Sequence, residues 1–109
     1  MRETLNKADF LRHVGLARKA GKVVLGSDNV YEKMHTGSVC LVMVSSEASD
    51  NTKKKLKNRA EYTKTDMYVI DVSQEELGKS VGTELASCVG ITDNNFKILI
   101  TKSIDSFTE

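Results

Sequence analysis

The chain has 109 residues, of which 39% are hydrophobic and 28% charged. This length and composition suit one globular domain over residues 1–109 and exclude a disordered chain. The longest apolar run, residues 39–44, is too short to cross a membrane, and the N-terminal residues lack the apolar core of a signal peptide. We therefore expect a cytoplasmic protein with no membrane partner.

Positive charge is concentrated in the first two-thirds of the sequence. Residues 1–70 hold 13 Lys and Arg against 8 Asp and Glu, a net charge of +5. Residues 71–109 hold 3 against 7, a net charge of −4, so that the whole chain carries +1. An anionic partner is expected on the N-terminal part, unless the uneven distribution carries no function.

Apolar periodicity predicts five helices alternating with four strands. The first helix is expected over residues 7–20, and the strands are expected at four short apolar runs: residues 23–25, 39–44, 67–72 and 88–92. Polar residues that can cap the later helices precede them: Ser27 or Asp28, Ser49, Ser73 with Glu76 as a capping box, and Thr92 or Asp93. This alternation predicts a three-layer α/β/α sandwich around a four-stranded mixed sheet.

Residues suited to catalysis or metal binding do not form a recognisable pattern. Gly78-Lys79-Ser80 matches the end of a phosphate-binding loop, but the glycine that the motif requires five positions earlier is Ser73. The two histidines have no ligand partner at metal spacing, and the two cysteines are isolated. We expect no catalytic residues, no metal and no cofactor, and hence no enzyme.

A turn before the second helix is the first candidate for binding RNA. Gly26 allows another backbone to approach closely, and the helix start offers free N–H groups to a phosphate. Asp28 and Asn29 can exchange hydrogen bonds with base edges, beside Ser27. The alternative is a simple capped turn without a ligand.

Basic residues stand on both sides of this turn. Arg18, Lys19 and Lys22 precede it and could contact phosphates without reading sequence. Residues 53–64 hold six more basic side chains on the third helix, where a solvated face is the alternative to RNA contact.

A loop before the fourth strand is the last candidate. Its residues are Thr83, Glu84, Leu85, Ala86 and Ser87. The apolar pair Leu85 and Ala86 could pack on an unstacked base, or Leu85 could fold back into the core. The aromatic residues are assigned mostly to core stripes, which argues against a sheet surface that stacks bases.

Four segments of the chain, in order, resemble one known family. They are residues 15–22 (GLARKAGK), Gly26 with Gly37, residues 48–55 (ASDNTKKK) and residues 77–82 (LGKSVG). Together they are similar to the bacterial YlxQ-type branch of the ribosomal kink-turn-binding superfamily. The resemblance extends from about Phe10 to Phe96.

The resemblance implies an α/β/α sandwich that binds kink-turns, which are sharply bent RNA motifs with tandem sheared G·A pairs. It assigns the contact with the G·A pairs to Gly26, Ser27, Asp28 and Asn29. It assigns the contact with the extruded base to the 83–87 loop. The basic residues of the family near the first turn correspond to Lys22 and Lys19.

One position departs from the family pattern. Archaeal and eukaryotic relatives read Asn-Glu followed by Lys three residues later, whereas this chain holds Asp28, Asn29 and Glu32 there. Lys33 is adjacent to Glu32 but rotated by about 100° around the helix. The expected partner is structured RNA, ribosomal or regulatory, bound by a monomer that does not bind DNA. The alternative is a protein-interaction module, with a ribosome-associated protein as its partner.

Overall fold

The computed structural model describes the backbone of residues 2–108 and the side chains of residues 7–105. Within that part of the chain, helices and strands alternate. The helices are α1 (Arg2–Lys19), α2 (Ser27–His35), α3 (Asp50–Thr63), α4 (Gln74–Ser80) and α5 (Asn94–Thr108). The strands are β1 (Val23–Leu25), β2 (Leu41–Ser45), β3 (Asp66–Ile70) and β4 (Cys88–Ile91).

The four strands form one mixed sheet in the order β1-β4-β2-β3. Strand β4 is antiparallel to both of its neighbours, with Leu25 opposite Val89 and Val44 opposite Cys88. Strands β2 and β3 are parallel. Residues 41–44 of β2 are buried, as the apolar run 39–44 predicted, but the strand begins two residues later than predicted and extends to buried Ser45.

Alternate residues of the central strands feed two separate cores. Leu41 and Met43 of β2 face one core together with the apolar stripes of α1, α4 and α5. Val42 and Val44 face the other core together with α2 and α3, and there Leu56 is fully buried. Because each face of the sheet is covered by helices, the predicted three-layer α/β/α sandwich is confirmed.

Three of the predicted helix caps are present. The Ser49 side chain accepts a bond from the Thr52 N–H at 3.1 Å, and Ser73 with Glu76 forms the reciprocal capping box of α4. Asp93 accepts from the Phe96 N–H at 3.0 Å and caps α5. Side-chain oxygens thus satisfy N–H groups that the first helical turn leaves unpaired.

The predicted cap of α2 is wrong. Gly26 occupies the cap position with φ 90° and ψ 136°, and no side chain bonds to the free N–H groups. Ser27 is already the first residue of the helix, and the Asp28 carboxylate accepts instead from Lys55 Nζ at 3.1 Å. The N–H groups at the start of α2 therefore have no side-chain cap.

Several predicted boundaries also differ from the structure. Helix α1 begins at Arg2 rather than residue 7, because residues 2–6 contain no glycine or proline to stop it. Strand β3 ends at Ile70 rather than residue 72, because a turn follows in which the Val72 N–H donates to the Ile70 carbonyl. Helical spacing of apolar residues places Phe107 on the inner side of the last helix, but its side chain lies outside the described ones. None of the described helices is long and apolar enough to cross a membrane.

Candidate nucleic-acid interface

The antiparallel pairing of β1 with β4 brings two of the predicted segments to the same end of the sheet. Leu25, the last residue of β1, lies opposite Val89, the second residue of β4. The turn that follows β1 therefore lies beside the loop that precedes β4. Residues 26–29 and residues 83–87, which are far apart in sequence, consequently lie at the same end of the sheet.

The turn at residues 26–29 presents an exposed helix start. The φ of 90° at Gly26 is a conformation that residues with a side chain rarely adopt. The Asn29 side-chain amide donates to the Leu25 carbonyl at 3.1 Å, which fixes the side chain against the end of β1. This bond uses one of the two N–H donors of the Asn29 amide, and the exposed amide still has one N–H donor and its carbonyl acceptor for a ligand.

The two polar residues of the turn lie on different sides of α2. Residues four positions apart share a side of a helix, so exposed Asn29 and exposed Lys33 lie on one side. Asp28 lies on the side that faces α3, where Lys55 pairs with it. The Asp28 side chain is 91% exposed, so this ion pair stabilises the fold little and leaves the carboxylate accessible.

The 83–87 loop is held tightly against α4. The Thr83 N–H donates to the Gly78 carbonyl at 2.9 Å, and the Ala86 N–H donates to the Gln74 carbonyl at 3.0 Å. A Cβ on Gly78 would lie 2.8 Å from the Leu85 backbone, so only glycine leaves room for the loop. Gly78 therefore serves packing in this structure, and the phosphate-loop alternative has no geometric support.

Within this loop, the two apolar residues behave differently. Ala86 is buried in the core, whereas Leu85 is 60% exposed. The alternative that Leu85 folds back into the core is therefore wrong. Because the backbone on both sides of Leu85 is hydrogen-bonded, its side chain is presented to solvent from a fixed position.

A basic cleft adjoins the same loop, between the end of α1 and the end of α4. Arg18, Lys19 and Lys79 line it beside Gly82. The Arg18 Nε–H donates to the Val81 carbonyl at 3.1 Å, which ties α1 to the start of the loop. Lys79 was missed as a site residue because the sequence suggested it only through the incomplete phosphate-loop motif.

Lys22 lies apart from this cluster. It precedes β1, and its carbonyl accepts from the Thr92 N–H at 3.0 Å, at the far end of the β1–β4 pair. Lys22 and Gly26 are four residues apart, which corresponds to roughly 13 Å along an extended strand. A ligand would have to extend along the sheet edge to touch both.

Most of the described aromatic residues lie in or against a core, as expected, and Tyr62 is the exception among the described side chains. Tyr62 is 80% exposed, and Tyr31 lies half-buried between α2 and α3. Both rings stand near the Arg59 guanidinium. Sequence periodicity missed this pair, because it cannot tell which side of α3 faces α2.

The cysteines and histidines of the described residues form no reactive centre. Burial raises the pKa of the Cys88 thiol to about 11 and raises that of Cys40 as well. Cys88 lies opposite Val44 and Cys40 beside Ile91, so the two thiols stand at opposite ends of the ladder and cannot form a disulfide. His13 Nδ1 bonds to Ser103 Oγ at 2.6 Å, and among the described residues no group of three or more potential metal ligands occurs.

Comparison with known proteins extends these observations. Residues 8–100 match the model of the ribosomal protein L7Ae/L30e/S12e/Gadd45 family. The RNA-binding protein YlxQ of Bacillus subtilis strain 168 is 34% identical over 92 residues, which cover 84% of this chain and 91% of that protein. The protein of the same name from Enterococcus faecium is 30% identical over 91 residues, covering 84% and 86%.

Solved structures agree with the fold. A protein of unknown function from Bacillus halodurans superposes with a TM-score of 0.86 at 30% identity, covering 90% of this chain and 98% of that one. A 15.5kD RNA-binding protein from Giardia lamblia superposes with a TM-score of 0.76 at 13% identity, covering 94% and 88%, and shares the fold. The family match spans most of the chain and confirms the relationship that the four sequence segments predicted. The chain belongs to the ribosomal protein L7Ae/L30e/S12e/Gadd45 family, in its YlxQ-type branch.

Proposed function

We propose that this protein binds structured RNA through the start of α2 and the 83–87 loop, and that its target is a kink-turn. The observation that carries the proposal is the β1–β4 register, since Leu25 opposite Val89 brings the two segments to the same end of the sheet. The names of the two YlxQ relatives, both RNA-binding proteins, support RNA as the ligand.

Each part of the surface has a chemical role in this proposal. The uncapped N–H groups at the start of α2 and the partial positive charge of the helix attract a phosphate. Gly26 and Ser27 let the RNA backbone approach closely, while Asp28 and Asn29 bond to the edges of the sheared G·A pairs. Lys33 shares the Asn29 side of the helix and supplies charge there.

The loop receives the base that a kink-turn extrudes. Leu85 offers an exposed apolar side chain to the face of that base, between the polar residues Thr83, Glu84 and Ser87. Ala86 anchors the loop in the core rather than touching RNA. Lys19 contacts phosphate from the neighbouring basic cleft, and Lys22 contacts it further along the sheet edge. The role is binding alone, performed by a cytoplasmic monomer without a cofactor.

The decisive experiment is a titration of the protein with a kink-turn RNA and with the same RNA after its G·A pairs are replaced by Watson–Crick pairs. We expect tight binding that is lost on replacement. Equal binding to both RNAs that disappears at high salt would mean attraction to phosphate alone. Such a result would refute kink-turn recognition.

The substitution Asn29→Ala tests the assigned surface. A base contact of this kind is worth about 1–3 kcal/mol, so binding of the kink-turn RNA should weaken by that amount. The matched control is Asn95→Ala, because Asn95 is an exposed asparagine on α5, beyond the opposite end of β4. Unchanged affinity of a folded Asn29→Ala protein would show that the turn does not read bases.

A protein-interaction module is the second candidate, and Glu32 is the observation that favours it. Its carboxylate stands on the exposed side of α2, where the family resemblance places a lysine. If neither RNA binds at low salt, this candidate replaces the first. A protein partner would then be expected to protect α2 from hydrogen exchange.

A further inference from the structure

A groove between α2 and α3 combines aromatic and cationic side chains outside the surface described above. Its volume is about 470 Å³, and it is lined by Tyr31, His35, Lys55, Asn58, Arg59 and Tyr62. None of these residues belongs to the turn or the 83–87 loop. The groove is therefore distinct from the proposed interface.

The Arg59 guanidinium lies in the groove and contacts two side chains of α2. It lies 4.0 Å from the centre of the Tyr31 ring, within the range of a cation–π contact, and it donates to the Tyr31 hydroxyl. Its other terminal nitrogen lies 3.2 Å from His35 Nδ1. Among the described residues, no carboxylate forms an ion pair with Arg59, so its charge remains available to an anion.

The exposed ring of Tyr62 supplies a stacking surface beside that charge. The ring is 80% exposed, and its centre lies 6.0 Å from the Arg59 guanidinium carbon. Lys55 stands one turn before Arg59, 4.7 Å from the Tyr31 ring. The exposed Tyr62 ring beside Arg59, with Lys55 lining the same groove, fits a nucleotide whose base stacks on the ring and whose phosphate lies at Arg59 and Lys55.

Lys55 links the groove to the start of α2. Lys55 also pairs with Asp28 at 3.1 Å, at the beginning of that helix, whereas Arg59 meets His35 at its end. The two helices thus run in the same direction, and the groove leads away from the 26–29 turn. An RNA strand that leaves the turn would pass along the groove.

We propose that the α2–α3 groove binds a single-stranded nucleotide that flanks the structured RNA, with the base stacked on Tyr62 and the phosphate held by Arg59 and Lys55. This inference rests on the proposed function, because it takes the RNA at the 26–29 turn as its starting point. It adds a second subsite, which favours RNAs with an unpaired extension.

The test compares a kink-turn RNA with and without a short single-stranded extension at either end. The extension should tighten binding to the wild-type protein by about fivefold or more, since one base–aromatic stack is worth at least that much. Tyr62→Ala should remove this gain and leave the affinity for the RNA without extension unchanged. Tyr62→Phe keeps the ring and should keep the gain.

Charge-matched variants separate a groove contact from general attraction. Arg59→Gln should abolish the gain in affinity from the extension. Lys57→Gln removes the same charge from α3 and should keep the gain, because Lys57 lines a different cleft, beside β3. If both variants lose the gain equally, the proposal is overturned. It is also overturned if the extension increases the RNA affinity of Tyr62→Ala as much as that of the wild type.

Failure of the proposed function is distinguishable from failure of the groove. If the RNA without extension does not bind, a hexanucleotide is titrated instead, and NMR shifts of Tyr62 and Arg59 are followed. Shifts confined to the groove would support the subsite. Absence of shifts, or shifts produced only by an acidic peptide, would refute it.

Discussion

At the scale of single residues, the carboxylate of Glu32 is the least favourable group for the proposed ligand. It is exposed on α2, one turn beyond Asp28, and RNA bound at the proposed interface would bring its phosphates near it. Two charges about 4 Å apart in water interact by about 1 kcal/mol, so reversing the charge changes the binding free energy by roughly twice that amount. At the proposed interface, Glu32 therefore opposes RNA binding by a local repulsion.

The substitution Glu32→Lys should strengthen binding of a kink-turn RNA by about 1–2 kcal/mol at low salt, because it turns this repulsion into attraction. The gain should shrink as salt rises. The control is Glu61→Lys, which makes the same exchange at an exposed position of α3. An equal gain in both variants would mean that only net charge matters, and no gain in Glu32→Lys would place the RNA elsewhere.

At the scale of elements, the position of the 83–87 loop depends on one glycine of α4. Alanine in a helix is favoured over glycine by about 1 kcal/mol, so Gly78→Ala would stabilise the protein if the site were open. The new Cβ would instead lie 2.8 Å from the Leu85 backbone, which cannot move as a side chain can. Overpacking of this kind costs about 1–3 kcal/mol.

We therefore expect Gly78→Ala to lower the urea midpoint and to weaken RNA binding through the displaced loop. Glu75→Ala, at an exposed position of the same helix, is the control for a change in helix propensity. A raised midpoint in Gly78→Ala would show that the loop adapts, and unchanged RNA affinity would remove the loop from the interface.

The capping box of α4 makes the stability of this element depend on pH. The Ser73 N–H, which donates to the Glu76 carboxylate at 2.9 Å, and Lys7 Nζ, also at 2.9 Å, hold the pKa of Glu76 below its ordinary value of 4.5. A lowered folded-state pKa gives stability that is present above the unfolded-state pKa and lost as pH falls through the folded-state pKa. Protonation of Glu76 in acid should thus lower the free energy of unfolding by weakening its bonds at the start of α4.

Urea midpoints measured from neutral pH down to about pH 3 test this linkage. The wild-type midpoint should fall in acid, and Glu76→Gln should lower the neutral midpoint and flatten the dependence. Glu75→Gln changes the neighbouring residue, which bonds to neither Ser73 nor Lys7, and should leave the pH dependence of the midpoint unchanged. Parallel curves for wild type and Glu76→Gln would contradict the role of the box.

Local and long-range interactions explain which features the sequence predicted. The caps at Ser49, Ser73 and Asp93 were predictable because each bond joins residues three apart in the chain. The cap of α2 was not, since Asp28 is drawn to Lys55, a residue 27 positions away. The sequence predicted the turn and the loop separately, and their meeting depends on a strand register that only the fold determines.

At the scale of the whole molecule, the basic residues of the proposed interface come from distant parts of the fold. Lys19 stands at the end of α1 in the basic cleft, and Lys22 stands at the far end of β1 from Gly26. If one RNA touches both lysines, it must extend past the turn and along the sheet edge. The number of phosphates contacted then reports the length of the interface.

Salt dependence measures that number directly. Each phosphate contact contributes roughly 0.9 to the slope of log affinity against log salt for B-form DNA and roughly 0.7 for a single strand, and we expect a value of this size for RNA. Lys19→Ala and Lys22→Ala should each lower the slope by roughly that amount, and the double variant by about twice as much, because the two sites are separate. They should weaken binding to all RNAs alike, since phosphate contacts carry no sequence information.

The control for this series is Lys102→Ala, which removes an exposed positive charge from α5 and changes the net charge equally. If the interface is local, Lys102→Ala leaves the slope unchanged while the two interface variants lower it. If all three variants lower the slope alike, the RNA responds only to net charge. A drop for Lys19→Ala but not for Lys22→Ala would show that the RNA does not extend along the sheet edge, because Lys22 lies at the end of β1 away from Gly26.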